Sequence, residues 1–104
     1  MKFVNSCIRR LVLDVMKPHE PDIITCANHL ATIEQENGEV TAVNIAVIEV
    51  DRIVENIKIT IQGNKLDYEL ISHKIKELGG AIHSIDLVIA GKHIIEETPT
   101  PQDP

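Results

Sequence analysis

The stretch VTAVNIAVIEVDRIVENIKITIQG, residues 40–63, decides the fold. Its opening part, VTAVNIAVIEV, is apolar on both sides of an extended chain: Val43, Ile45 and Val47 share one face, and Ala46, Ile48 and Val50 the other. Its closing part, IKITIQG, alternates, with Ile57, Ile59 and Ile61 inward and Lys58, Thr60 and Gln62 outward. The DRIVEN segment between them has no strong turn dipeptide, so the spacing predicts a hairpin with a somewhat longer turn.

On the N-terminal side, CIRRLVLDVMK (7–17) places Leu11, Leu13 and Val15 on one face and Arg10, Val12, Asp14 and Met16 on the other, the period of a strand. Pro18 and Pro21 of KPHEPD end that strand, and Pro21 suits a first helical turn. Ile23, Cys26, Ala27, Leu30 and Ala31 then recur at helical spacing, predicting a helix to about Asn37 with Gly38 as its left-handed cap. On the C-terminal side, Asp67 reads as an N-cap, with Leu66 and Ile71 forming a hydrophobic staple. Tyr68, Ile71, Ile75 and Leu78 line the buried side of a second helix that stops at Gly79 and Gly80, and AIHSIDLVIAGK (81–92) follows as a fourth strand.

The order β-α-β-β-α-β predicts an α+β protein, the ferredoxin-like sandwich. Right-handed crossovers then give a four-stranded antiparallel sheet in order 4-1-3-2, with both helices on one face and the other face open. Residues 1–95 are expected to form one domain, and residues 96–104, acidic and rich in proline, a mobile tail.

Composition narrows the function. The chain has 104 residues, enough for one core, and a net charge of -6 with pI near 5.2, which disfavours a phosphate backbone as partner. Phe3 and Tyr68 are the only aromatic residues, so few rings can stack on a base. No apolar run has the length of a membrane span, and residues 1–5 lack the features of a signal peptide. A cytoplasmic protein with neither nucleic-acid nor membrane partners is expected. Cys7 and Cys26 have no CxxC spacing and read as reduced, mostly buried thiols.

The fourth strand holds His83, Ser84 and Asp86, the residue types of a hydrolytic triad. Neighbouring residues of a strand point to opposite faces, so His83, placed with Ile85, Leu87 and Ile89 under the helices, cannot serve Ser84 as a base. No catalytic residue, no organic cofactor and no enzymatic activity are expected. Ser84 and Asp86 fall on the open face. There Asp86 and Asp14, on neighbouring strands, are joined by Glu49 and Asp51 if Ile48 and Val50 face the helices. Clustered carboxylates suit a hard divalent cation, calcium foremost, and these four residues are the candidate metal ligands. The bland reading is an ion-paired sheet face, Arg10 with Asp14 and Lys58 with Glu49.

The segments IRRLVLDVMKPHEP, VNIAVIEVD, ENIKITIQG and ELGGAIHSIDLVIAGK resemble the archaeal domain-of-unknown-function 211 family over about residues 7–95, with GGAIHSID followed by AGK the most specific part. The resemblance implies a small cytoplasmic ferredoxin-like protein that self-associates and has no assigned activity.

Other ferredoxin-like functions lack their residues. A copper chaperone needs CxxC where this chain has KPHEP, and a phosphate-cradling loop loses two backbone donors to Pro18 and Pro21. The stronger rival is an amino-acid- or small-metabolite-sensing regulatory domain, whose ligand sits near the end of the first strand. The second strand argues for assembly: VTAVNIAVI is expected to have no charge, proline or bulge to discourage edge pairing, and both its faces cannot lie under the helices. A homo-oligomer is therefore expected, a ring or higher assembly in preference to a dimer, because the fourth strand and Ile94-Ile95 offer a second apolar edge.

Overall fold

A computed structural model describes residues 6–96. The elements are β1 (Ile8–Pro18), α1 (Ile23–Ala31), β2 (Glu39–Val50), β3 (Val54–Asn64), α2 (Tyr68–Glu77) and β4 (Ala81–Ala90). The sheet is antiparallel in the order β2-β3-β1-β4, so the predicted α+β ferredoxin-like βαββαβ fold is the fold observed.

The centre of the sheet follows directly from alternation. β1 and β3 pair without a register shift from Arg10 opposite Gln62 to Pro18 opposite Val54. Leu11, Leu13 and Val15 of β1 and Ile57, Ile59 and Ile61 of β3 are buried on the helix side. They form one core with Leu30 and Ile33 after β1, and with Leu66, Ile71 and Ile75 around α2. α1 packs against β2 and α2 against β4. The opposite face, with Arg10, Val12, Asp14, Lys58, Thr60 and Gln62, has no helix over it among the described residues.

α2 begins at the expected N-cap Asp67, whereas Pro21, expected in the first turn of α1, precedes that helix's N-cap, Asp22. The Asp22 carboxylate accepts a 2.8 Å hydrogen bond from the Thr25 N–H, and the Asp67 carboxylate accepts one of 3.1 Å from Leu70. The staple residues Leu66 and Ile71 are both fully buried. α2 ends in a Schellman motif: Gly79 at φ +85° donates to the Lys76 carbonyl, and Gly80 to Ile75. A Cβ at Gly80 would lie 2.8 Å from Ile75 Cγ2 and 3.0 Å from Val15 Cγ1, both in the core. Gly80→Ala is expected to cost about 1–3 kcal/mol by overpacking, measured by urea unfolding.

Several local expectations are corrected. α1 stops at Ala31 rather than Asn37, because Thr32 returns its hydroxyl to the Asn28 carbonyl and Ile33 drops into the core. Gly38 therefore caps no helix. It turns the chain into β2 at φ +80°, where a Cβ would strike the backbone of Asn64. The β2–β3 connection is shorter than predicted, since β3 already begins at Val54 and the Asp51 N–H donates to the Val54 carbonyl at 2.8 Å.

β4 differs most. Its register against β1 shifts three times, twice by an extra residue in β4, so that Ile82, Ile85 and Val88 lie opposite Val15, Leu13 and Leu11 on the helix side. Ser84, Leu87 and Ile89 lie opposite Asp14, Val12 and Arg10 on the open side. Strict alternation had placed Ile85, Leu87 and Ile89 together with His83. The two extra residues, His83 and Asp86, each reset the phase. Among the tail residues, Glu96 is held by Arg10, while residues 97–104 lie outside the described residues.

Candidate functional site

The open face carries the first group of candidates. Asp14 lies opposite Ser84 on β4, and its carboxylate accepts a 2.6 Å hydrogen bond from the Asn56 amide on β3. Ser84 donates its hydroxyl to Asp86 Oδ1, also at 2.6 Å. Ser84 is the cross-strand neighbour of Asp14, and its proton goes to Asp86 rather than to an imidazole. That geometry suits a sheet surface and not a nucleophile.

Glu49 and Asp51 belong to the other half of the sheet. Glu49 lies opposite Asn56, which places it on the open side as expected. Strands are spaced by about 4.8 Å, so Glu49 on β2 is roughly 10 Å from Asp14 on β1 and roughly 14 Å from β4. Oxygens that share one calcium ion lie within about 5 Å of each other, given bonds of 2.3–2.6 Å. Asp51 lies beyond the end of β2, where its carboxylate accepts from the Arg52 N–H at 2.9 Å. Among the described residues no three His, Cys, Asp or Glu side chains gather as a metal site. Asp14 and Asp86 remain as a pair.

The expected ion pairs of this face are also redistributed. Arg10 Nη1 bonds Glu96 at 2.9 Å, and its Nε and Nη2 donate to Gln62 at 3.1 and 2.8 Å. This hydrogen-bonded pairing raises the Arg10 pKa and lowers that of Glu96.

A second group forms where β1 leaves the sheet. Lys17 is 2% exposed, pointing into the helix side in phase with Val15. Its ammonium donates to the Pro18 carbonyl at 2.7 Å and meets Glu55 Oε2 at 3.4 Å. The other oxygen of Glu55 bonds His19 Nδ1 at 3.0 Å. His19 Nε2 lies 2.9 Å from the Asp51 carbonyl and 3.1 Å from that of Arg52. Glu55 is the largest cause that raises the His19 pKa above its ordinary 6.5, and His19 in turn lowers that of Glu55. The hydrogen bond from the Thr25 backbone N–H lowers that of Asp22 nearby.

This knot was missed by reading the sequence, although one signal was available: Lys17 and Glu55 both occupy inward positions of otherwise apolar alternations. The turn in which a metabolite sensor would hold its ligand is filled by these internal bonds. The adjoining void, lined by Val15, Lys17, Cys26 and Leu30, is about 10 Å³, the size of one water.

The two cysteines separate. Cys26 is buried beside that void, where loss of solvation raises its thiol pKa, whereas Cys7 is exposed, contrary to the expectation that both are buried. Iodoacetamide is expected to label native protein once, at Cys7, and to reach Cys26 only on unfolding, as intact-mass and peptide analysis would show.

The third group is apolar. The end of β2 and its turn expose Val47, Ile48, Val50 and Ile53, and β4 exposes Ile85, Leu87 and Val88 at the other edge of the sheet. No described helix is long and apolar enough to cross a membrane.

These features can be set beside known proteins. The chain is 54% identical to an uncharacterized protein of Methanocaldococcus jannaschii over 96 residues, covering 92% of this chain and 95% of that one. Residues 9–104 match the family described as uncharacterized ArCR, DUF211. With that match across nearly its whole length, the chain belongs to the DUF211 family.

Proposed function

We propose that the protein is a self-assembling, non-enzymatic binding module whose subunits join through the two edges of the sheet. One observation carries the reading: exposed apolar side chains are concentrated at both edges. Ile48, Val50 and Ile53 are 60, 64 and 78% exposed, and Ile85 and Val88 are 48 and 51% exposed. Burying each such side chain contributes roughly 1.5–3 kcal/mol, so three or four of them support a stable contact.

The two edges are different surfaces. A β2 edge that meets the β4 edge of a second copy makes a heterologous contact, which must close into a ring to remain finite. The pairing of β2 with β3 shifts register beside Thr41 and Ile48, and β4 carries its own bulges, features that interrupt a continuous backbone ladder between copies. Side-chain burial around the bulged Ile48 therefore dominates the contact.

The divalent cation of this reading is confined to Asp14 and Asp86. A cation that binds only the folded form raises its melting temperature by linkage, so calcium and chelator are expected to give different melting curves. Identical curves, with no effect of Asp14→Asn, would remove the cation and leave the assembly untouched.

Native mass spectrometry and sedimentation of protein purified without chelator test the reading together. The expected result is one discrete oligomer larger than a dimer. A folded monomer at micromolar concentration would overturn it, and a retained organic metabolite would favour the alternative, a small-metabolite-sensing regulatory domain.

A further inference from the structure

We propose that His19 is a proton-operated latch that holds the β2–β3 turn against the exit of β1 and so controls the apolar β2 edge. The inference rests on that edge being the contact surface between copies. It deepens the reading by naming what regulates the contact.

The geometry is a matter of counting protons. Three acceptors face the imidazole: Glu55 Oε1 at Nδ1, and the carbonyls of Asp51 and Arg52 at Nε2. A neutral imidazole has one N–H and one lone pair, so it can serve only one side, and its other nitrogen then faces an acceptor across a repulsive contact. Only the imidazolium donates from both nitrogens. On deprotonation the remaining proton stays with the carboxylate, since a hydrogen bond to an ionised acceptor is roughly twice as strong as one to a neutral carbonyl. The two turn carbonyls are then released.

The surrounding charges agree with this. Glu55 faces the ring from β3, with Lys17 of β1 on its other oxygen. The carboxylate of Asp51 is engaged with the Arg52 N–H in the turn, and that of Asp22 with Thr25 at the start of α1. Glu20 adjoins His19 in its own loop, Arg52 belongs to the turn, and the Cys26 thiol lies behind Lys17. Among the described residues Glu55 is thus the one carboxylate bonded to the ring, and the folded protein holds the His19 proton above its ordinary pKa.

The consequence reaches the surface through the turn. Asp51 and Arg52 are flanked by Val50 and Ile53, whose side chains are 64 and 78% exposed. With the latch closed these side chains keep one position and can dock without being ordered first. With it open the turn must be ordered on binding, which weakens association. Assembly is therefore favoured at lower pH and weakens as pH rises through the folded pKa of His19, above 6.5.

The test is one pH series, from 5.5 to 9, on wild type and His19→Gln. Imidazole ¹⁵N shifts report the His19 proton, amide protection factors at Arg52, Ile53 and Val54 report the turn, and sedimentation reports assembly. In the wild type, turn protection is expected to fall at least tenfold across the His19 titration, and association to weaken at least tenfold at the same midpoint. His19→Gln, which keeps a single donor group, is expected to show the open values at every pH. Protection that stays flat through the titration, or an oligomer indifferent to it, overturns the latch as a control of assembly. A wild type that is monomeric at every pH, with protection still following His19, overturns the assembly reading and leaves the latch itself standing.

Discussion

Ile48→Arg is expected to convert the proposed assembly into a folded monomer. Ile48 occupies the bulge of β2 and is 60% exposed, outside the buried core, so a long charged side chain there meets only solvent in the isolated chain. Exposed substitutions of this kind usually change stability by no more than about 0.5 kcal/mol. At a contact the same change removes roughly 1.5–3 kcal/mol of apolar burial and adds a charge that must be desolvated. Every 1.4 kcal/mol is a tenfold loss of affinity, so dissociation should strengthen by about a hundredfold or more at each contact. Sedimentation equilibrium and circular dichroism on one sample check both halves. Val47→Arg should act in the same direction and also disturb folding, because Val47 lies opposite the core residue Ile57. An unchanged oligomer in the Ile48→Arg protein would mean that the β2 edge is not the interface.

Glu55→Ala is expected to produce the largest loss of stability among the polar positions, about 3 kcal/mol, at the lower end of what breaking a buried pair costs. The Lys17 ammonium it leaves behind is 2% exposed and, among the described residues, keeps only the backbone carbonyls of Pro18 and His19 as acceptors. For a domain of about 100 residues this corresponds to a fall in Tm of very roughly 12–20 °C. Adding Lys17→Met should recover most of the loss, since an apolar side chain of similar length needs no partner there. The measurement belongs in the Ile48→Arg background, where unfolding is independent of protein concentration. Equal stabilities for the single and double variants would show that packing, not the stranded charge, sets the cost.

Glu55 and His19 make stability depend on pH in two directions. The Glu55 carboxylate has a folded pKa below its ordinary 4.5, so its contribution is present above 4.5 and lost as pH falls through the folded value. His19 has a folded pKa above 6.5, so its contribution is complete below 6.5 and lost as pH rises through the folded value. The knot is tightest between 4.5 and 6.5.

How much of this was legible in the sequence differs from element to element. The alternation of Ile57, Ile59 and Ile61 with Lys58, Thr60 and Gln62 determined β3, and the same period in β1 determined its partner. Asp67 and the Gly79-Gly80 pair marked the ends of α2 by local chemistry that needs no tertiary context, whereas the Asp22 cap of α1 was overlooked in favour of Pro21. From the order of these elements and the handedness of crossovers, the sheet order follows, and with it the identity of the edge strands.

What only the tertiary structure decided depends on phase and on distance across the sheet. A bulge is one extra residue opposite a neighbouring strand, so the extra residues at His83 and Asp86 exist only in relation to β1, and no pattern within β4 reveals that Ile85 and Leu87 lie on opposite faces. The separation of Glu49 and Asp51 from Asp14 and Asp86 is likewise a count of strands between them. The Lys17–Glu55–His19 knot joins residues 36 and 38 positions apart, and each looks ordinary until β1 and β3 bring them to one end of the sheet. Period and capping act over a few residues and are written in the chain; register and charge pairing act between strands, and they become physical only once those strands are packed.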